Sequence, residues 1–395
     1  MKDETPDAID YRARARDLAP LLEEAAPRIE RERQLPAEVL AALHRTGLFR
    51  LCLPRSLGGA EIALPGFVAT IEALATADAS TAWCVAQGGG CATAAAYLAP
   101  EIARAIFGNP QSVMSWGPPL GAGSKTLAVE GGYRLTGTWQ FASGSPHCNW
   151  LGATHCQIAE ADGTPRLDAQ GAPVPRRVML FPKTSAKIAD AWYVIGLKGT
   201  GSDNYAVHDL FVPEAYSFVL DSPAERREPG PLYRFSTLSL YGYAFAGAAL
   251  GIARAALDAF IRLASAKVPY RFTATLRENP TVQSQMAIAD ARLRSARLFL
   301  MSSLDESWAS VLLSGEPTLE QRLTLRLAST HVVREAKDVV ATVYEFAGST
   351  AIFEGNPFER RFRDIHTVTQ HMQARFTNYE IVGQALLGMT PPPFI

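Results

Sequence analysis

Near the start of the chain, apolar residues recur at the spacing of an α-helix. Leucine and valine positions three and four apart occur over residues 18–22 and 39–43, which places them on one face of a helix. Residues 67–75 and 80–96 are rich in Ala, with Gly and Cys in the second stretch, and such small side chains let helices approach closely. We therefore predict helices from about residue 11 to residue 107.

Short apolar runs replace the helical spacing from about residue 113 to residue 213. Residues 133–139, 177–182 and 206–213 are examples, and Gly, Pro and Asp separate such runs. Runs of this length between turn residues are typical of β-strands. This part of the chain is therefore predicted to form a compact β domain.

Helical spacing returns in four long segments after residue 235. They cover residues 241–264, 281–314 and 319–346, and a last helix is expected to begin at Arg363. Four long helices in succession predict an up-and-down bundle. The predicted fold is α+β and mainly α, with an N-terminal helical domain (1–112), a middle β domain (113–230) and a C-terminal four-helix bundle (231–395).

Composition describes an ordinary globular chain and narrows the range of partners. Of 395 residues, 48% are hydrophobic and 19% are charged, and the formal net charge is −1. No basic run stands out, so neither nucleic acid nor an anionic membrane is expected as a partner. No stretch reaches about 18 uninterrupted apolar residues, and residues 1–5 are polar without a signal-peptide core. We therefore expect no membrane span.

Cysteine usage indicates the compartment. The chain has five cysteines, an odd number, and no CxxC pair. This usage fits buried free thiols in a reducing cytoplasm better than a disulfide framework or a zinc site. A cytoplasmic protein without a metal site is therefore expected.

Two imidazoles lie in residues 363–371, near the C-terminal end. His366 and His371 are five positions apart, about 140° around a helix, so they would not share one face. Histidine gains and loses protons near neutral pH, and each is a candidate for proton transfer; the alternative is a hydrogen-bonded histidine in a packed helix. Arg363 and Asp364 are expected to form a structural ion pair at the start of the helix.

Two segments of the middle domain carry further candidate chemistry. Residues 139–150 place Ser143 between Trp139 and Trp150, and residues 196–203 read Gly-Leu-Lys-Gly-Thr-Gly-Ser-Asp. Small residues in the second segment let backbone N–H groups approach an anion such as a phosphate. The structural alternatives are a Gly-rich turn between strands, a serine in a turn, and tryptophans in the core.

These two segments and residues 363–371 follow one another in the order and at the spacing found in the acyl-CoA dehydrogenase superfamily, which the chain resembles over nearly its whole length. The closer resemblance is to the flavin-dependent monooxygenases that serve as oxygenase components of two-component aromatic hydroxylases. The resemblance implies N-terminal helices, a middle β barrel, a C-terminal four-helix bundle and assembly as a homotetramer.

For function, the resemblance implies a monooxygenase that receives reduced FAD or FMN from a separate flavin reductase and uses O2 as co-substrate. A C4a-(hydro)peroxyflavin would then hydroxylate or oxygenate an aromatic or polycyclic small molecule. No GxGxxG sequence follows a predicted strand, so we do not expect this chain to oxidise NAD(P)H itself.

The resemblance also implies roles for single residues. It places Ser143 near N5 of the flavin and His371 at the peroxide or in a proton shuttle, with His366 as a helper, and leaves open which histidine faces the flavin. Flavin contacts are expected at Trp116, Trp139, Phe141, Ser143, Gly199, Thr200, Gly201, Ser202 and, toward a neighbouring subunit, Arg271. Substrate contacts are expected at Trp83, His147, Tyr241 and Phe245.

Two departures from the family pattern keep other functions open. Acyl-CoA dehydrogenases usually carry a general-base Glu near the Arg-Asp pair, whereas the next carboxylate after Asp364 here is Glu380. A dehydrogenase or oxidase with a relocated base is therefore the alternative, and a flavin-free binding member of the fold is a third. Many hydroxylases of this branch have a His shortly after Ser-Thr-Ala-Trp, but residues 84–93 contain none, which suggests a substrate that needs no phenolate or is activated elsewhere.

Overall fold

The computed structural model describes residues 9–121 and 124–392, and the N-terminal residues 1–5 discussed above lie outside this part. Its first third is helical, as the apolar spacing predicts. Asp10 begins the first helix by accepting a hydrogen bond from the Ala13 N–H, and proline occupies the first turn of three later helices. The helices are α1 (Tyr11–Asp17), α2 (Ala19–Glu32), α3 (Ala37–Arg45), α4 (Leu64–Ala77), α5 (Ala79–Ala92) and α6 (Pro100–Phe107).

Strands of the middle domain form two sheets in the described part of the chain. The first sheet has the order β1 (Met114–Gly117), β4 (Trp150–Cys156), β6 (Arg177–Pro182) and β9 (Ser217–Phe218). The second has the order β5 (Ile158–Ala159), β2 (Lys125–Val129), β3 (Gly132–Ala142), β8 (Asp203–Pro213) and β7 (Lys187–Ala189). The predicted domain boundaries fall between α6 and β1 and between β9 and the next long helix.

A bulge at the end of β3 positions part of the candidate site. Trp139 pairs with Tyr205 on β8, but the next pair joins Ala142 to Asp203, so β3 contains one extra residue there. Within the bulge, Phe141 has a φ of 59° and its side chain is 53% exposed. Bulges of this kind re-aim side chains next to functional sites.

Helices return after the sheets. They are α7 (Thr237–Ala266), α8 (Pro280–Ser314), α9 (Leu319–Ala347), α10 (Pro357–Val368) and α11 (Thr377–Leu386). Helix α7 packs against α4 and α9, and α8 against α9, so the bundle predicted from the sequence is joined to the N-terminal helices. By length and composition α7 could also cross a membrane, but 83% of its most apolar window is buried in the protein, as in a core helix of a soluble chain.

The prediction that the last helix begins at Arg363 is wrong. Asn356 accepts a hydrogen bond from the Phe358 N–H and caps α10, which begins at Pro357 and ends at Val368. His371 lies beyond the end of this helix and itself caps a short 3-10 helix, Met372–Ala374. The helical angle between the two histidines therefore does not describe how their rings are arranged.

Candidate active site

Helix α5 supplies a tryptophan to the end of β3. Asp78 caps α5 by accepting hydrogen bonds from the backbone N–H and the hydroxyl of Thr81, both at 2.7 Å. Two residues after Thr81, the indole Nε1–H of Trp83 donates to Ser143 Oγ at 3.1 Å. Ser143 follows the bulge, in a turn where Gly144 has a φ of 84°. Two segments 60 residues apart in the chain thus meet at this hydroxyl.

Three hydroxyl groups continue from this contact into the interior. Ser143 Oγ lies 2.7 Å from Ser202 Oγ, and Ser202 Oγ lies 2.7 Å from Thr200 Oγ1. Thr200 Oγ1 in turn donates to the backbone carbonyl of Leu197 at 2.9 Å. Thr200 belongs to a 3-10 helix, Lys198–Thr200, between left-handed residues at Leu197 and Gly201. All three hydroxyl side chains are buried.

A buried carboxylate on α10 holds the loop around Leu197 in place through a hydrogen bond. Asp364 Oδ1 accepts a hydrogen bond of 2.6 Å from the Leu197 N–H. Burial raises the pKa of Asp364 to about 6, against the opposing effects of that hydrogen bond and the Arg360 charge. The predicted ion pair between Arg363 and Asp364 is wrong, because Arg363 instead pairs with Glu359 at 2.7 Å and with a glutamate of α2.

Aromatic rings from α5 and α7 form one face of the site. Trp83 stacks on Phe245 with ring centroids 3.6 Å apart and an interplanar angle of 1°. Tyr241 stacks on the same Phe245 at 5.7 Å. The ring of His371 stands edge-on to this stack, 4.8 Å from Phe245 and 5.5 Å from Trp83. Three residues predicted to contact substrate therefore lie together with Ser143 and His371.

His371 is a neutral hydrogen-bond donor in this arrangement. Burial, with a smaller effect of the Arg375 charge, lowers the pKa of His371 to about 4. The Gln373 N–H donates to His371 Nδ1 at 3.3 Å, so the ring proton resides on Nε2. Among the described residues, Nε2 has no hydrogen-bond partner. The ring thus offers an N–H group to a molecule bound beside Trp83 and Phe245.

Gln87 lies one turn along α5 from Trp83, in the region where many hydroxylases have a histidine. Its Nε2 donates to the Trp116 carbonyl at 3.0 Å and lies 3.3 Å from the Tyr241 hydroxyl. Cys91 Sγ also lies 3.3 Å from that hydroxyl, and burial raises the pKa of the thiol to about 12. Gln87 is not among the predicted site residues, although its position four residues after Trp83 is a signal that could identify it.

Gly90 explains how Tyr241 comes so close to α5. A Cβ at position 90 would lie 2.2 Å from the Tyr241 ring, well inside van der Waals contact. Only glycine therefore accommodates the phenol here. The Gly-rich part of α5 thus serves the approach of an aromatic side chain from α7.

Three residues predicted to contact flavin, Trp139, Gly199 and Gly201, pack closely against other parts of the protein. Trp139 is fully buried in the β domain, where its Nε1 donates to the Thr154 carbonyl at 3.1 Å. A Cβ at Gly199 would lie 2.1 Å from Ile29 of α2, so this glycine permits close packing of the loop against the N-terminal helices. A Cβ at Gly201 would likewise lie 2.4 Å from Pro146. Flavin contacts by Trp139 and the two glycines remain predictions.

Three further predicted residues lie outside the cluster. His366 packs on Phe362, with ring centroids 4.3 Å apart. The ring nitrogens of His147 are buried beside Phe49, and this burial lowers the pKa of His147 to about 3. Arg271 lies in the loop between α7 and α8, over the Tyr270 ring. Of the two histidines near the C-terminal end, His371 therefore joins the aromatic cluster, whereas His366 does not.

The polar atoms left open in this cluster fit a flavin ring. Ser143 Oγ has a lone pair free beyond its bonds to Trp83 and Ser202, and His371 offers its Nε2–H. A flavin ring edge presents nitrogen and carbonyl groups that complement one acceptor and one donor. Phe141, two residues before Ser143, offers an exposed apolar side chain whose ring contacts Trp192. Ser143, His371 and Phe141 could therefore hold a flavin, whereas no group of three or more metal-ligating side chains occurs in residues 9–121 and 124–392.

Comparison with known proteins identifies the family. The family model for the acyl-CoA dehydrogenase N-terminal domain matches residues 5–110, and that for the C-terminal domain matches residues 243–376. An indole-3-acetate monooxygenase from Pseudomonas putida is 33% identical over 367 residues, which cover 92% of this chain and 90% of that protein. The oxygenase subunit HsaA of a flavin-dependent monooxygenase from Rhodococcus jostii is 29% identical. That match covers 90% of this chain and 92% of the HsaA chain.

A solved structure extends the likeness to three dimensions. The crystal structure of a 3-HSA hydroxylase from Rhodococcus sp. RHA1 superposes with a TM-score of 0.86 at 26% sequence identity. The match covers 98% of this chain and 99% of that one. Taken with the hydroxyl and histidine beside stacked aromatic rings, these findings show that the chain belongs to the acyl-CoA dehydrogenase superfamily, in its branch of flavin-dependent monooxygenases.

Proposed function

We propose that this chain is the oxygenase component of a two-component monooxygenase that oxygenates a planar aromatic or polycyclic small molecule. The observation that carries the proposal is the meeting of Trp83, Ser143, Phe245 and His371 between the β domain and the helices. Reduced flavin, delivered by a separate reductase, supplies the electrons that activate O2. The side chains of the cluster bind and orient the flavin and the substrate, and they supply protons.

The aromatic face favours a flat, apolar substrate. Trp83, Tyr241 and Phe245 are buried and stacked in series, and such rings recognise planar molecules by offset stacking or edge contacts. Tyr241 is also neutral, because burial raises its pKa well above the usual value. A site of apolar rings with few, neutral polar groups is typical of small-molecule pockets.

His371 supplies a proton-bearing group that stays neutral. Because its pKa is lowered to about 4, the imidazole does not carry a charge at neutral pH. It donates from Nε2 while the Gln373 N–H holds Nδ1 as an acceptor, so the ring orientation is set before any ligand binds. Such a donor stabilises negative charge that develops on oxygen during the reaction.

Exclusion of water is the second task of the cluster. Every residue of α5 is buried, as are the hydroxyl groups of Ser143, Ser202 and Thr200. A dry site limits the competing route in which activated oxygen leaves as hydrogen peroxide. The Trp83 bond to Ser143 closes the wall between α5 and the β domain at this point.

The contacts of the cluster do not supply the base that a dehydrogenase needs. Removal of a proton next to a thioester requires a carboxylate within hydrogen-bond reach. Among the described residues, the hydrogen bonds and ring contacts of Ser143, Trp83, Phe245 and His371 include no carboxylate. The nearby buried acids are engaged elsewhere, since Asp364 accepts from a loop N–H and Asp78 caps α5. The monooxygenase is therefore better supported than the dehydrogenase with a relocated base.

Assembly, location and domain limits belong to the same proposal. We propose a homotetramer, which would cover exposed apolar side chains such as Tyr270 and Phe272 beside Arg271, and Leu386 and Leu387 at the end of α11. A cytoplasmic location is supported by five cysteines that are all free and buried. The domain limits at residues 112 and 230 are supported by the change from helices to sheets and back.

Rapid mixing tests the proposed activity. The protein with anaerobically reduced FMN or FAD is mixed with oxygenated buffer, and flavin absorbance is followed with and without a panel of aromatic compounds. We expect a transient spectrum distinct from free oxidised flavin, and product from at least one aromatic. Bleaching of tightly bound FAD by an acyl-CoA would instead support the dehydrogenase, and no affinity for either redox state of flavin would support the flavin-free alternative.

A further inference from the structure

Five polar groups form a hydrogen-bonded series whose direction can be deduced. The Trp83 Nε1–H only donates, and the Leu197 carbonyl only accepts. Between them, Thr200 gives its proton to Leu197, so Ser202 must donate to Thr200, and Ser143 must donate to Ser202. Since Trp83 donates to Ser143, every proton in the series has one assigned acceptor.

The outer end of this series is Ser143. The exposed fraction of the side chain falls from 6% at Ser143 to 3% at Ser202 and 1% at Thr200. Ser143 has used its proton on Ser202 and one lone pair on Trp83, so only a second lone pair is left for a ligand. A hydroxyl group that could serve as donor or acceptor is thereby held as an acceptor.

This polarity matters for a flavin because its two redox states differ at a ring nitrogen. The reduced ring carries an N–H there, whereas the oxidised ring carries a lone pair. A Ser143 lone pair accepts a hydrogen bond from the N–H of the reduced ring, but it repels the lone pair of the oxidised ring. The direction of the hydroxyl series therefore bears on which redox state is held.

We propose that Thr200 and Ser202 are positioning residues that hold Ser143 as an acceptor and so make the site favour reduced over oxidised flavin. This inference rests on the proposed function, because it requires Ser143 to contact the flavin. Neither Thr200 nor Ser202 has to touch the flavin for the effect to occur. Their buried hydroxyl groups act only by fixing where the Ser143 proton points.

Thr200→Val separates this role from direct contact. The Leu197 carbonyl also accepts from Trp192 Nε1 at 3.0 Å and from the Thr200 N–H at 3.2 Å, so loss of the Thr200 hydroxyl does not leave it unpaired. Ser202 then has no inner acceptor and turns its proton to Ser143. With both lone pairs of Ser143 occupied, the Ser143 proton points outward, and the series is reversed.

The test is the dissociation constant of reduced and of oxidised flavin, measured anaerobically and aerobically with the same flavin on each variant. Thr200→Val is expected to weaken binding of reduced flavin about three- to tenfold, the effect of one hydrogen bond, and to strengthen binding of oxidised flavin. The preference for reduced flavin therefore falls by more than either change alone. Ser202→Ala, which frees the Ser143 proton in another way, is expected to shift the preference in the same direction. In a Ser143→Ala background, Thr200→Val is expected to change nothing further.

Ser145→Ala provides the matched control. Ser145 is an equally buried serine in the same turn, and its hydroxyl donates to the Gly201 carbonyl at 2.9 Å, outside the series; its loss should leave the preference unchanged. An unchanged preference in both Thr200→Val and Ser202→Ala, or an equal shift when Ser143 is already alanine, would overturn the inference. Failure of the unmodified protein to bind either redox state would overturn the proposed function as well.

Discussion

The indole nitrogen of Trp83 donates to the hydroxyl of Ser143 across 3.1 Å, joining helix α5 to the end of β3. The same indole lies flat on Phe245 of α7, so one side chain ties three parts of the fold together. Its polar edge orients the hydroxyl, and its face forms the aromatic wall. Loss of either property should therefore have a distinct effect.

Trp83→Phe keeps a ring against Phe245 but removes the donor to Ser143. We expect folding to be retained and the share of activated oxygen released as hydrogen peroxide to rise about three- to tenfold, since one hydrogen bond is worth on the order of 1 kcal/mol. The measurement is the ratio of peroxide to product under single-turnover conditions. Trp150→Phe is the control, because Trp150 stacks on Tyr216 away from the cluster. Unchanged coupling in Trp83→Phe would contradict the role given to this bond.

His371→Ala and His366→Ala form a matched pair. Removal of the His371 donor should lower product formation at least tenfold and raise peroxide release, in the range seen when one proton-transfer group is lost. His366 lies against Phe362, outside the cluster, so its replacement should leave the peroxide-to-product ratio within about twofold of the unmodified enzyme. If the two variants were equally uncoupled, the assignment of His371 over His366 would be wrong.

Gly90→Ala and Gly383→Ala should change stability in opposite directions. The added methyl group at position 90 would lie 2.2 Å from the Tyr241 ring and must displace it, which costs about 1–3 kcal/mol of unfolding free energy. Position 383, within α11, has no atom within 4 Å of the added Cβ, so the helix should gain about 0.5–1 kcal/mol. Chemical denaturation of both variants checks the signs, and a stable Gly90→Ala protein with intact flavin binding would show that Tyr241 can move freely.

His147 should make the protein lose stability in acid. Burial lowers its folded-state pKa from 6.5 to about 3, with smaller effects of His44 and Lys183, so between these values the unfolded chain binds a proton that the folded chain does not. The contribution of His147 to stability is therefore present at neutral pH and falls by up to about 1.4 kcal/mol per pH unit as pH drops through this window. His147→Leu should reduce the slope of unfolding free energy between pH 6.5 and 5, and it also removes two buried ring nitrogens that lack partners among the described residues. An unchanged slope would mean that His147 is protonated in the folded protein.

Much of the architecture follows from local patterns. Three- and four-residue spacing of apolar side chains predicts the helices at both ends, and short runs between Gly, Pro and Asp predict the strands, because burial of one face requires those periods. The boundary of α10 was missed, since Asn356 and Pro357 are stronger start signals than the Arg363-Asp364 pair. The end of α10 at Val368 also differs from the prediction, and it is this end that separates His366, within the helix, from His371, beyond it.

The sequence by itself determined the order of helical, β and helical parts, the superfamily, and a set of candidate residues that includes Ser143, His371, Trp83 and Phe245. Only the tertiary structure decided which of them meet: His371 turns toward Phe245 while His366 turns away, and Trp139 is buried in the β core. It also revealed the direction of the hydroxyl series through Thr200 and Ser202. The reason is physical, since spacing along the chain specifies which face a residue occupies, whereas hydrogen bonds between segments 60 residues apart depend on how those faces are packed together.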